Sequence, residues 1–364
     1  MPSGLASRAS AVLEIDLGAI VGNWRLLSEK AAPAVCAAVV KADGYGLGAT
    51  RVAAALHHAG CRRFYIATLD EGIALRTALG PAPEIAVFNG PLPGTSGEFA
   101  AARLIPVLNE PGQIDGWERA ATAAPAIVHA DTGLNRLGLS PMELAALARR
   151  LRALTPRLMI GHLACADEPE HGHNTLQRER FLTARGHLPG VAAGLAASSG
   201  IFLGPQYHFD EVRPGAALYG VNPCPGRPNP MRPVVRLTAK ILQLRQIDSG
   251  ESVGYGAAHV MGEPGMLATA AIGYADGWPR SLSHRGCGWI AGKRVPLLGR
   301  VSMDLATFDV SAAEPAALYP GAAIELIGEQ HGVDDVARDA GTIGYEILTS
   351  FGSRFHRVYR EPAT

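Results

Sequence analysis

A single alternation governs what this chain can fold into. Up to about residue 222, short apolar or β-branched runs take turns with Ala-rich amphipathic stretches. The runs are VCAAVVKAD (35–43), RFYIATL (63–69), EIAVFNG (84–90), LIPVLN (104–109), AIVHADT (126–132), LMIGHLA (158–164), GLAASS (194–199) and VRPGAALYG (212–220). Helical spacing fills most of the gaps, as in TRVAAALHHAG (50–60) and PMELAALARRL (141–151); the spacing from 90 to 130 is ragged. Ser140 stands where an N-cap belongs and Pro141 at the first helical position. Near-continuous apolar strands separated by helices are parallel strands buried on both faces. About eight of them predict an α/β chain with an N-terminal (β/α)8 barrel.

At NPCPGRPNP (222–230) the texture changes. VVRLTAKILQL, GMLATAAIGYA, CGWIAGKRVPLLGR and AAIELIGE follow, strand-like and broken by Gly turns, which predicts a C-terminal, mostly-β domain. The predicted division is 11–228 for the barrel and 229–364 for the β domain. The early strand AVLEID (11–16) is expected to pair with the second of these.

With 48% hydrophobic and 18% charged residues, the chain can bury a sizeable core. Its formal net charge is +0, and no basic stripe offers itself to nucleic acid. An acidic small molecule must therefore be held by local donors. MPSGLASRAS lacks the apolar stretch of a secretory signal, and no run reaches the roughly 18 apolar residues of a membrane span. Cys36, Cys61, Cys165, Cys224 and Cys287 are scattered, which reads as free thiols and not as a disulfide frame or a metal site. A cytoplasmic location is the expectation. DEPEHGHN (167–174) holds carboxylates and imidazoles but reads as a solvated loop before a helix starting near Thr175. His57 and His58, adjacent on a helix, point in different directions.

Lys41, Asp131, His162, Ser198 and Arg213 all fall at the C-terminal ends of proposed barrel strands. That end is where barrels of this kind build active sites, with phosphate commonly held after the last two strands. Ser198 and the turn RPGA (213–216) occupy those places. A lysine, a phosphate cradle and an arginine together suggest pyridoxal phosphate, whose aldehyde condenses with an amine. Lys41 directly follows an apolar strand, where desolvation lowers its pKa, and the glycines of VVKADGYGLG allow a positive-φ turn beside it. Taken singly, Lys41 could be a lysine snorkelling at a strand end, Arg213 a surface arginine on a turn, and His162 a satisfied core histidine.

VVKADGYGLG (39–48), DTGLNRLG (131–138), VRPGAALYG (212–220), VGYGA (253–257), GYADGWPRSL (273–282) and GRVSMD (299–304) resemble the motifs of the alanine racemase family, in the same order and over nearly the whole chain. The resemblance implies a pyridoxal-phosphate enzyme that interconverts L- and D-alanine, works as a homodimer and supplies D-alanine for peptidoglycan. It assigns Lys41 to the cofactor-holding lysine and first base, and Tyr255, contributed by the partner subunit, to the second base. Two bases suit racemisation, because a proton leaves one face of a planar carbon and returns to the other. Tyr45, Ser198, Gly215, Ala216 and Tyr345 match phosphate-holding positions. Arg213 matches the arginine facing the pyridine nitrogen, His162 the histidine against the ring, and Arg136 the arginine near the ring hydroxyl and substrate carboxylate. Met303 and Asp304 match partner-subunit residues near that carboxylate, and Tyr274 an entrance tyrosine.

The chain departs from this pattern in places. His129 stands where many members carry a carbamylated lysine, so chloride, water or a nearby carboxylate is expected to orient Arg136. Ala197 replaces the asparagine before the phosphate serine, Gly194 a histidine that links the arginine to the tyrosine, and Leu47 a histidine of the lysine motif. Other readings of the same scaffold are a broad-specificity amino-acid racemase, a non-catalytic pyridoxal-phosphate carrier and a barrel decarboxylase. The first tends to be exported, the second needs no second base, and the third would need a reactive cysteine that VSMD does not offer. Because an imidazole cannot form the carbamate, racemase turnover is expected to be the same with and without added bicarbonate, as measured by initial rates at fixed pH.

Overall fold

The computed structural model describes residues 8–120 and 124–362; the N-terminal MPSGLAS, part of the segment read for a secretory signal, lies outside them. The chain forms two compact units: Gly18–Arg232, and the segment up to Leu17 together with the segment from Pro233. Strand β1 (Ala11–Asp16) belongs to the second unit and is taken up below.

In the first unit the expected alternation folds into a barrel. The strands are β2 (Val35–Cys36), β3 (Ala38–Val39), β4 (Arg63–Ile66), β5 (Glu84–Val87), β6 (Ile105–Leu108), β7 (Ile127–His129), β8 (Leu158–Ile160), β9 (Ala192–Gly194) and β10 (Glu211–Val212). β3 to β9 pair in sequence order, all parallel, and β10 pairs in parallel with β2. β2 and β3 are one strand interrupted at Ala37, whose N–H still reaches the Val212 carbonyl at 3.0 Å. On its other side the last strand is tied by the Ala197–Arg213 bridge and by Arg213 N–H to the Ala196 carbonyl at 3.0 Å. The ring is thus closed, and no strand is left with an open edge.

Alternate residues of these strands, including Ala37, Val39, Ile105, Val107, Leu158 and Ile160, pack with Tyr65 into one buried interior cluster. That is the filled core of a small barrel. Helices cover the outside. Pro141–Ala153 starts as expected, with Ser140 and Glu143 forming a reciprocal capping box. The ragged stretch is explained by two short helices, Ser96–Ala101 and Pro111–Arg119. The helix expected near Thr175 begins earlier, at Gly172.

The last two predicted strands are shorter than their apolar runs. β9 ends at Gly194, and Ala216–Tyr219 is a 3-10 turn. Ser198 Oγ accepts the N–H groups of Gly215 and Ala217, at 3.0 and 3.1 Å. Pro214 has no N–H to give, so this backbone is diverted from ladder pairing.

In the second unit the strands are β11 (Val235–Ile247), β12 (Ser252–Val253), β13 (His259–Val260), β14 (Gly265–Ala270), β15 (Cys287–Ile290), β16 (Lys293–Leu298), β17 (Ala306–Asp309), β18 (Ala323–Ile327) and β19 (His356–Arg360). The main sheet runs β14-β17-β16-β15-β18-β11-β1-β19, with an extra pairing of β14 to β11 that closes six of these strands into a ring. β1 lies between β11, antiparallel, and β19, parallel.

Beneath the barrel's polar end sits a buried anion. Glu211 is fully buried, accepts the Tyr65 hydroxyl, and pairs with Arg63 at 2.9 Å and Arg157 at 3.4 Å. Both guanidinium groups also pair with the partly exposed Glu84. Breaking a buried pair leaves uncompensated charge. Glu211→Gln is expected to lower unfolding free energy by about 3 kcal/mol, and Tyr65→Phe by about 2 kcal/mol, in urea titrations.

Candidate functional site

The Lys41 turn is the most strained backbone of the barrel unit. Ala42, Asp43 and Tyr45 hold φ of 54°, 52° and 55°, alongside Gly44 at 62° and Gly46 at 78°. The sequence assigned positive φ to glycines, yet three residues with side chains share it, each at a cost of roughly 1–2 kcal/mol. Specific bonds hold the turn. Glu71 takes the N–H of Ala42 at 2.7 Å with one oxygen and that of Ala67 at 2.8 Å with the other. Asp43 takes the Ala49 N–H at 2.9 Å. The result aims Lys41 toward the Phe88 ring, with Nζ 5.8 Å from its centroid. Burial, then the charge of Arg136, pull the Lys41 amine below its ordinary pKa, against the opposing influence of Glu71.

Around it stand groups from the other strand ends. His129 Nδ1 lies 2.8 Å from Asn109 Oδ1, while the Asn109 amide donates to the Phe88 and Val107 carbonyls. An amide oxygen only accepts, so His129 carries its proton on Nδ1 and presents Nε2 as an acceptor. Burial, and then the Arg213 charge, lower His129 to about 4 and His162 to about 3. His162 also feels Arg136, His129 and Lys41, which places these side chains in one electrostatic field. Asp131 is spent on its own loop, accepting the N–H groups of Gly133, Leu134 and Asn135.

Arg213 is buried, and its Nη2 donates to the Gly161 carbonyl at 2.6 Å. Its Nη1 has no protein partner. A Cβ on Gly194 would stand 2.7 Å from that nitrogen and 2.6 Å from the Glu211 carbonyl, so only glycine leaves room for the guanidinium. Beside it, Tyr45 stacks on Tyr219 with centroids 4.5 Å apart, and the Tyr219 hydroxyl donates to the Val39 carbonyl at 3.1 Å. Gly215 lies so near the Tyr45 hydroxyl that a Cβ there would come within 2.2 Å of it. Ser198, having accepted two N–H groups, keeps its own hydrogen to donate.

The barrel unit therefore gathers Lys41, Tyr45, Arg136, His162, Ser198, Arg213, Gly215 and Ala216. Tyr255, Tyr274, Met303, Asp304 and Tyr345 belong to the second unit. Tyr255 is 73% exposed, Met303 54%, Tyr274 44% and Tyr345 43%. Backbone bonds from Tyr274 N–H to the Ser302 carbonyl and from Ala275 N–H to the Met303 carbonyl join two of these turns, at 3.0 and 2.9 Å. Asp304 pairs with Arg354 at 2.8 Å, which in turn reaches Asp276 at 3.2 Å. The carboxylate of Asp304 is thus already engaged.

A family model described as the alanine racemase N-terminal domain matches residues 15–223, and one for the alanine racemase C-terminal domain matches 234–359. The chain belongs to the alanine racemase family. It is 51% identical to the alanine racemase of Rhodospirillum rubrum over 98% of this chain and 97% of that one. It is equally 51% identical to a catabolic alanine racemase of Mesorhizobium japonicum, over 96% and 93% of the two. The crystal structure of the Bartonella henselae alanine racemase with covalently bound pyridoxal phosphate superposes with a TM-score of 0.93 at 39% identity, covering 97% of this chain and 100% of that one.

Within the family frame, the structure accounts for one departure directly. Gly194 is needed because Arg213 itself fills the space beside it. Sequence reasoning missed Glu71, Asn109, Tyr219 and Arg300. The Arg300 guanidinium packs on the Tyr255 turn, with Nη1 3.2 Å from where a Gly256 Cβ would be. Its signal was present in GRVSMD, and that of Tyr219 in VRPGAALYG. Asn109 carries no local pattern, and Thr68-x-x-Glu71 reads as a helix start without revealing the bond of Glu71 to the Lys41 turn.

Both depressed histidines stay neutral in the folded protein while the unfolded chain takes up protons below about pH 6.5. Each therefore costs stability as pH falls from 6.5 toward its folded value, by at most about 1.4 kcal/mol per pH unit. Urea titrations between pH 6.5 and 4.5 should give a shallower fall for His129→Asn than for the unchanged protein. Parallel curves would contradict the burial assigned to His129.

Proposed function

We propose that this protein interconverts L- and D-alanine with pyridoxal phosphate, using Lys41 as one base and Tyr255 of a second copy as the other. The observation that carries the reading is the buried Arg213, whose Nη1 lacks a protein partner and which acts on His162 together with a desolvated lysine. A buried donor left unsatisfied calls for an explanation, and a ring nitrogen is a suitable acceptor. The residues fit the cofactor in other respects: Gly215 admits no side chain beside the Tyr45 hydroxyl, and Ser198 retains a proton to donate.

In this reading Tyr45, Ser198, Gly215, Ala216 and Tyr345 would hold the phosphate, His162 would serve the ring, and Arg136 would serve the ring hydroxyl and the substrate carboxylate. When bound, the cofactor supplies an electron sink that acidifies the alanine Cα–H. Arg213 would donate a hydrogen bond to the ring nitrogen without giving up its own proton, which would leave that nitrogen unprotonated and restrain side reactions. Burial and the nearby Arg136 favour the neutral Lys41 amine, the form that can take a proton from Cα. The Tyr255 hydroxyl acts on the opposite face, which inverts the centre. Neutral His162 adds no positive charge of its own around the ring. His129 Nε2, an acceptor, is suited to the Arg136 guanidinium where the family pattern has an anion.

The proposed assembly is a homodimer. The strong exposure of Tyr255 and Met303 supports it, since a group that acts in a neighbouring subunit must stand out from its own. Met303 and Asp304 then border the partner's substrate carboxylate and Tyr274 its entrance. Among the described residues no helix is long and apolar enough to cross a membrane, and all five cysteines are free, which suits a cytoplasmic location. We take the role to be supply of D-alanine for peptidoglycan. The 51% identity to a relative named catabolic makes alanine breakdown the second reading.

The test is incubation with L-alanine and detection of D-alanine by chiral chromatography. Lys41→Ala and Tyr255→Phe are each expected to lower turnover by about 100- to 10,000-fold. Borohydride should fix the cofactor on the peptide containing Lys41. A protein that ignores alanine but turns over lysine or serine would overturn the substrate assignment.

A further inference from the structure

The second unit carries a cluster of donor atoms that racemisation does not use. Cys287 opens β15, His331 lies in the loop after β18, and Asp339 sits in the helix Val333–Ala340. One sulfur, one imidazole nitrogen and one carboxylate oxygen from these side chains all lie within 4.8 Å of one another. His331 Nε2 is 3.9 Å from the Cys287 sulfur and 3.1 Å from Asp339 Oδ2. We propose that Cys287, His331 and Asp339 bind a thiophilic divalent cation of the zinc class, with water as the fourth ligand.

Three arguments support this. A tetrahedral centre with metal–sulfur bonds of about 2.3 Å and metal–nitrogen or –oxygen bonds of about 2.1 Å separates sulfur from nitrogen by about 3.6 Å and nitrogen from oxygen by about 3.4 Å. The observed separations straddle those values. Second, one ring nitrogen faces two neighbours, and the single hydrogen it can carry reaches only one of them, so the sulfur turns to the Arg294 side chain for its other contact. A cation between the three atoms satisfies all of them at once. Third, the donor set is selective: a thiolate with an imidazole favours zinc-like ions over magnesium or calcium, which prefer oxygen.

The surroundings hold the ligands in place. The Trp289 ring lies 5.0 Å from the His331 ring at 31°, and the His331 carbonyl accepts the Gly328 N–H at 3.0 Å. Asp335, on the same helix, is occupied by Arg338 at 2.6 Å, which leaves Asp339 as the carboxylate turned to the imidazole. Cys287 is 2% and His331 9% exposed, whereas the Asp339 side chain is 24% exposed and gives an ion and its water a way in. On binding, the cysteine S–H proton leaves to solvent and a sulfur–metal bond forms, with the Arg294 side chain displaced from the sulfur. The ion would tie β15 to a loop 44 residues further along the chain, a site that only the folded chain assembles, so binding favours the folded form. Sequence reading saw no metal here because the ligands follow none of the short spacings that mark zinc motifs.

The test uses the full chain loaded with its cofactor and purified without chelator. Titration with Co2+, recorded as difference spectra against Cys287→Ala, should give a thiolate-to-cobalt band that saturates at one equivalent. Excess Zn2+, near a hundred times its dissociation constant, should raise the thermal midpoint by about 5 °C. Asp339→Asn, at the exposed ligand, should weaken binding at least tenfold while leaving metal-free circular dichroism and racemase turnover unchanged. If Cys287→Ala does not fold, Asp339→Asn decides. The same cobalt spectrum from both proteins, or a midpoint that zinc does not move, would overturn the site.

Discussion

Burying a guanidinium inside a barrel requires both a compensating anion and an empty volume, and this fold supplies the two within a few residues. Glu211, two positions before Arg213, acts on it as a nearby negative charge while pairing directly with Arg63 and Arg157. Gly194, on the neighbouring strand, provides the volume. Tyr65 completes the arrangement by donating to Glu211, and its own ionisation is pushed far above the ordinary phenol range by burial and that carboxylate. Burial, reinforced by this fixed cation, keeps His129 and His162 neutral, and burial together with Arg136 disfavours charge on the Lys41 amine. At the polar rim burial thus acts first on all three groups, and the cations add to it.

Strain is the second ingredient. The left-handed turn from Ala42 to Gly46 would not persist on local preference, since three of its residues carry side chains. Glu71 and Asp43 stabilise it through charged acceptors on backbone N–H groups. Such conformations collect where geometry serves chemistry.

Much of this was legible in the sequence. Strand order, the first helical residues at Ser140–Pro141, and the polar residues at strand ends all follow from local pattern, because each depends on near neighbours. The truncated ends of the last two barrel strands were not legible, since they depend on Ser198 capturing N–H groups nearly twenty residues away. Asn109 and Glu211 escaped for the same reason: a buried polar side chain announces itself only through partners that the fold brings from elsewhere. His129 and Gly194 stood out as departures from a pattern, but the reason for Gly194 is spatial and needed the neighbouring strand.

The pairing of β1 with both β11 and β19 has a bearing on biogenesis. Of the strands described, β1 is made first, and it finds its antiparallel partner at Val235–Ala239 and its parallel partner at His356–Arg360. The barrel strands, by contrast, mostly meet their neighbours as soon as the next strand is made. During synthesis the middle of the polypeptide can therefore condense while its leading strand waits, and the β unit is finished only when the C-terminal strand emerges. Loss of His356–Arg360 would strip one whole edge from a strand made far earlier in the chain.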